Sequence, residues 1–94
     1  MTLQKRILHL SVKAEYFHEM KAGKKLYEYR LQTDYWKKRL AGRVYDEIHI
    51  KLGYPAASDH DRILVRPWRG IETQSITHKH FGPGEKKVYA IRVN

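Results

Sequence analysis

Between Gly23 and Arg30 the chain reads Gly-Lys-Lys-Leu-Tyr-Glu-Tyr-Arg, and this segment concentrates the residue types that handle polar ligands. A glycine after a helix supplies a positive φ at little cost and lets backbone come close to whatever lies beside it. Lys25 can reach a phosphate or a carbonyl oxygen. Glu28 and Arg30 stand two apart, so on a strand they project from one face into the same space. A carboxylate beside a guanidinium is expected to stay ionised, able to accept from a nucleobase amino group or to polarise a water. Arg30 can bind phosphate through two bonds or stack on a base. The same spacing also suits a plainer role, in which Glu28 and Arg30 close the polar end of the fold and Lys25 is solvated.

Other residues extend the candidate set. In Arg66-Pro67-Trp68-Arg69, Pro67 excludes a central ladder position, so the stretch is expected at an edge or a bend. Trp68, flanked by arginines, suits either a stacking platform for a base or a plug in the core. Tyr54 is a loop aromatic between Gly53 and Pro55, and Lys51 lies nearby on the outward phase of its strand. His78 and His80 are two apart on a segment read as extended, which would turn both the same way. That pair lacks a third ligand, and Asp59-His60-Asp61 reads as a hydrated loop, so neither a metal nor another cofactor is expected. His80, or else His78, suits proton transfer in RNA cleavage, since imidazole titrates near neutrality. His9, His18 and His49 read as surface residues. The candidates are therefore Lys25, Glu28 and Arg30 for catalysis, and Gly23, Lys25, Arg30, Lys51, Tyr54, Arg66, Trp68, Arg69 and His80 for ligand binding.

The elements that must position these residues follow from the patterning. Ile7 to Val12 alternates, with Leu8, Leu10 and Val12 on one face, and reads as a strand. Ala14 to Ala22 reads as a short helix with Phe17 and Met20 three apart and Gly23 just past its end. Leu26 to Leu31 returns to strand, with Tyr27, Tyr29 and Leu31 on the face opposite Glu28 and Arg30. Thr33 or Asp34 caps a second short helix carrying Trp36 and Leu40, with Lys37, Lys38 and Arg39 near its C-terminus, where cations suit the helix dipole. Val44 to Leu52 is a strand and Gly53 to Asp61 a loop. Arg62 to Arg66, Ile71 to Ile76 and Lys87 to Val93 complete six strands. So many strands in one 94-residue domain, spanning 1–94, predict an α+β fold: a strongly curved sheet or small barrel with two short helices over its opening.

The bulk numbers set the class. Hydrophobic residues make up 41% and charged residues 31% of the chain, as in a folded globular domain. Nineteen Lys and Arg against ten Asp and Glu leave a net charge of +9, a field that attracts polyanions. Nucleic acid is the expected partner, bound in a salt-dependent way. No apolar run suits a membrane span, no signal-peptide layout is seen, and there is no cysteine, so a cytoplasmic protein is expected without membrane attachment.

Gly23-Lys24-Lys25-Leu26-Tyr27-Glu28-Tyr29-Arg30 fits G-x-K-x-x-E-x-R and resembles the signature of the ASCH family. The preceding Val12 to Phe17 is similar to that family's opening helix, and the order of elements along the whole chain matches. The resemblance implies a mixed PUA-like β-barrel whose motif face lines a cleft between helices and barrel. It implies binding of single-stranded RNA, a nucleotide or a nucleoside, with hydrolysis of RNA as a possible activity. Some relatives are amidohydrolases acting on acetylated cytidine through a Lys, a Thr and a Glu. Lys25 matches that lysine, but Glu28 stands at the threonine position, so the nucleophile is absent. A non-enzymatic protein adaptor is the remaining alternative; its mark, a long exposed apolar surface, is not found.

Overall fold

The computed structural model describes residues 4–94. Within them six strands form two three-stranded sheets, accompanied by two short helices, so the fold class is α+β. The strands are β1 (Ile7–Val12), β2 (Tyr27–Leu31), β3 (Glu47–Leu52), β4 (Ile63–Pro67), β5 (Ile71–Ile76) and β6 (Lys86–Arg92); the helices are α1 (Ala14–Lys21) and α2 (Asp34–Leu40). The first sheet has the order β1-β3-β4 and the second β2-β6-β5.

Period-two patterning explains the first sheet. Leu8, Leu10 and Val12 of β1 lie opposite Ile48, Ile50 and Leu52 of parallel β3, so two apolar rows coincide on one face. All but the half-buried Leu52 are buried, and each such side chain stabilises the fold by roughly 1.5–3 kcal/mol. A parallel pair needs a long crossover, and here it contains α1, β2 and α2. In the second sheet the central strand β6, paired with β2 on one edge and β5 on the other, is buried at four successive positions, Val88 to Ile91. Tyr89, Ile91 and Val93 join the β1 and β3 rows in one core, which Phe17 and Met20 of α1 and Leu40 of α2 complete.

Several boundaries differ from the sequence expectation. The third strand starts at Glu47 rather than Val44, which is 67% exposed. Asp46 falls on the core phase of that strand, and its carboxylate instead accepts from the Arg6 backbone N–H (2.8 Å). Lys79–Phe81 forms a single 3₁₀ turn, not an extended run, and the His78 ring accepts from the His80 backbone N–H (3.1 Å). His60–Arg62 is another such turn. Thr33 is the cap of α2, its hydroxyl accepting from the Trp36 backbone N–H. Among the described residues no helix is long and apolar enough to cross a membrane.

Candidate functional site

A cavity of about 920 Å³ opens where the parallel strands β1 and β3 end, inside the size range of roughly 300–1,000 Å³ usual for small-ligand sites. Ser11 to Lys13, Tyr16, Tyr35, Trp36, Gly53, Tyr54, His78 and His80 contribute walls. So do four consecutive β2 residues, Glu28 to Leu31. Four successive strand residues reach one cavity only when it runs along a free strand edge, and β2 is an edge strand.

Gly23 builds the site from a distance. With φ at 76° it ends α1, where a side chain would be strained. The N–H groups of Lys24 and Lys25 then both donate to the carbonyl of Glu19 (2.9 and 3.3 Å), which turns the chain into β2. Asn94 fastens the same turn, donating from Nδ2 to the carbonyls of Met20 (2.9 Å) and Lys25 (2.7 Å). Lys25 is thereby delivered to the cavity, its ammonium 4.8 Å from the Tyr29 ring centre and 5.1 Å from that of Tyr16, a cation–π arrangement. Burial raises the Tyr16 phenol above its ordinary pKa, and Glu15 adds to this, so the ring stays a neutral partner.

Glu28 and Arg30 form the centre. Glu28 is only 7% exposed. Its Oε1 accepts from the Tyr29 backbone N–H (3.2 Å) and its Oε2 from Arg30 Nη2 (2.9 Å). The same Nη2 donates to the Ser11 carbonyl (3.0 Å), tying β2 of one sheet to β1 of the other. The guanidinium lies 5.0 Å from the Trp36 ring centre, and its buried Nε has no acceptor among the described residues. Burial raises the pKa of Glu28 above the usual carboxylate range; Arg30, Lys25, the Tyr29 N–H and His80 pull it down but do not outweigh burial. The sequence expectation that Arg30 alone fixes the ionised form counted one of two opposing effects.

Three cations, Lys13, Lys25 and Arg30, thus face the cavity with a single carboxylate. Lys13 Nζ lies 3.4 Å from His80 Nδ1. This set can hold an anion, stack a planar group and accept from a ligand N–H. Among the described residues no three His, Asp or Glu side chains group to hold a metal ion.

The cavity brings together Lys25, Glu28, Arg30, Tyr54 and His80 from the sequence candidates, and His78 with them. The others lie elsewhere. Trp68 packs on the core with its ring centre 5.1 Å from that of Tyr45, and Arg66 Nε donates to Asn94 Oδ1 (3.4 Å). Arg69 borders a separate hollow of about 160 Å³, and Lys51 stands beside His9 on the outer side of the first sheet. Lys13, Tyr16, Tyr29, Tyr35 and Trp36 are cavity residues that the sequence reading did not include. Alternation placed Tyr29 on the face opposite Glu28 and Arg30, yet at the free edge of β2 residues of both faces border the cavity. No protein-family model, curated protein or solved structure matches this chain.

Proposed function

We propose that this cavity binds the base of a nucleoside, nucleotide or single-stranded RNA, in a small cytoplasmic ASCH-type domain whose two sheets correspond to the halves of a PUA-like barrel. The observation that carries the reading is the buried Glu28–Arg30 pair set among Tyr16, Tyr29 and Trp36. A carboxylate and a guanidinium side by side offer an acceptor and a donor to a base edge, and aromatic walls stack its faces. The net charge of +9 supports a polyanionic ligand.

A second reading, cleavage of RNA, is favoured by the raised pKa of Glu28 with His80 lining the same cavity. A carboxyl that holds its proton more tightly than usual is suited to general acid–base work. The amidohydrolase alternative has less support. Thr33 does line the cavity, but its hydroxyl is occupied in capping α2.

Tryptophan fluorescence tests the binding reading, because both tryptophans pack against the core but Trp36 alone of the two lines the cavity. Titration with nucleoside monophosphates and short single-stranded RNA should quench emission in wild type and in Trp68→Phe, but not in Trp36→Phe. Lys25→Ala should weaken binding about tenfold, the equivalent of one charge-assisted contact. Equal affinity of Lys25→Ala and wild type at low salt would overturn the reading. Loss of RNA cleavage in Glu28→Gln, with binding retained, would favour the hydrolytic version.

A further inference from the structure

Tyr54 on the rim differs from the aromatic rings inside the cavity in what already covers it. Inside, Tyr16 and Tyr29 face the Lys25 ammonium, and Trp36 faces the Arg30 guanidinium. On the rim, Tyr54 is 94% exposed. It follows Gly53, whose φ of 67° turns the chain outward from β3, and among the described residues no ring or cation lies against it. An aromatic side chain held bare at the mouth of a basic cavity is a stacking surface in want of a partner.

A second rim ring leads away from the cavity along α2. Tyr35 is 55% exposed and lines the same cavity. Lys38 and Arg39 stand three and four residues on, which places them on its face of the helix. The Arg39 guanidinium lies 3.7 Å from the Tyr35 ring centre. Arg43 Nε donates to the Lys38 carbonyl (3.2 Å), which brings a third exposed cation to the end of the same ridge. None of the three forms an ion pair among the described residues. Inside the cavity Arg30 is paired with Glu28, Lys25 is held between two rings and Lys13 lies against His80, so each cation there already has a neighbour on the cavity wall. On the ridge only Arg39 has a ring against it.

From this division we infer that the ligand is a stretch of single-stranded RNA several nucleotides long. One base enters the cavity, an adjacent base stacks on Tyr54, and flanking phosphates run over Lys38, Arg39 and Arg43. This deepens the proposed function and rests on it. A free nucleoside in the cavity would meet at most the inner edge of the Tyr54 ring, leaving its exposed face and the unpaired ridge without a role. A duplex would keep its bases paired and could not cover Tyr54.

Fluorescence anisotropy with a fluorescein-labelled random-sequence heptamer RNA, competed by unlabelled nucleoside monophosphates, tests this. The heptamer should bind at least tenfold more tightly than any monophosphate. Lys38→Gln/Arg43→Gln should weaken heptamer binding about tenfold and reduce the salt slope by about 1.4, at roughly 0.7 per phosphate contact on a single strand. Monophosphate binding should be unchanged in that variant. Tyr54→Ala should weaken the heptamer by about fivefold or more, the lower end of the stacking range. Equal affinity for heptamer and monophosphate, an unchanged salt slope, or equal binding of a heptamer duplex would overturn the inference while leaving the cavity reading intact. Failure of Lys25→Ala to affect either ligand would instead remove the cavity reading.

Discussion

Replacing Arg30 by alanine should destabilise the fold, and removing the charge of Glu28 as well should restore part of the loss. The Arg30 guanidinium makes two hydrogen bonds, to Glu28 Oε2 (2.9 Å) and to the Ser11 carbonyl (3.0 Å), and the second joins the two sheets. Its loss leaves Glu28 buried without its nearest counter-charge. Breaking one side of a buried pair costs about 3–5 kcal/mol. The Arg30 side chain is 21% exposed and borders an open cavity, so water would fill part of the space and about 2–3 kcal/mol is the better figure. For a domain of this size that corresponds to a fall in Tm of roughly 10–20 °C.

Glu28→Gln keeps the shape and removes the charge that burial opposes. Because the pKa of Glu28 is raised in the folded protein, the folded state holds that proton more tightly than the unfolded chain does. The carboxyl's contribution to stability is therefore complete below the unfolded value of 4.5 and is lost as pH rises through the higher folded value. At neutral pH, Glu28→Gln should thus be at least as stable as wild type. The gain of Glu28→Gln/Arg30→Ala over Arg30→Ala should exceed the gain of Glu28→Gln over wild type by about 1–2 kcal/mol, a coupling typical of residues in contact. Urea unfolding of the four proteins at pH 7, read by far-ultraviolet circular dichroism at a common m-value, measures it. Additivity within about 0.5 kcal/mol would show that the two charges do not sense one another, and the account of the cavity floor would fail.

Two further perturbations reach other parts of the argument. Gly23→Ala meets open space, so its cost is conformational alone, about 1 kcal/mol in urea unfolding; because Gly23 sets the turn that delivers Lys25, RNA affinity should fall as well, and an unaltered affinity would detach that turn from the site. Partial burial, then Lys51 and His49, lower the pKa of His9 from 6.5, so the unfolded chain takes up this proton first and stability should decline as pH falls below 6.5. His9→Gln should flatten that decline between pH 7 and 5, and an identical profile would rule it out.

Alternation made the first sheet readable because each apolar residue of β1 and β3 met its counterpart across a parallel ladder. The sequence expectation passes over the break in that pattern, running the strand back to Val44, although Asp46 occupies a core phase and the strand begins one residue later. What periodicity does not carry is the partner a side chain finds across the fold. Trp68 meets Tyr45, Arg66 meets Asn94, and Arg30 meets a carbonyl nineteen residues earlier. These contacts sort the basic and aromatic residues into cavity, core and surface, and all of them depend on tertiary placement. The motif segment was more legible because its residues act within one turn and one strand. Even there the edge position of β2 brought Tyr29 into the cavity against the alternation rule.

The same edge position separates the two roles first open to Glu28 and Arg30. A pair that merely closes the polar end of a fold gains most where water still reaches the carboxylate, since burial of an ion pair often costs as much as the attraction returns. Here burial outweighs every nearby cation and raises the pKa of Glu28. Each Glu28 oxygen accepts a single bond from the protein, and both Arg30 bonds leave through one nitrogen, Nη2. Acceptor and donor capacity is therefore left over on groups that border the cavity, in surroundings that make an unused charge costly. A ligand donating to Glu28 would stabilise the ionised carboxylate and recover what burial opposes. This is why a site whose occupant completes the pair accounts for the arrangement better than a structural pair that is already complete.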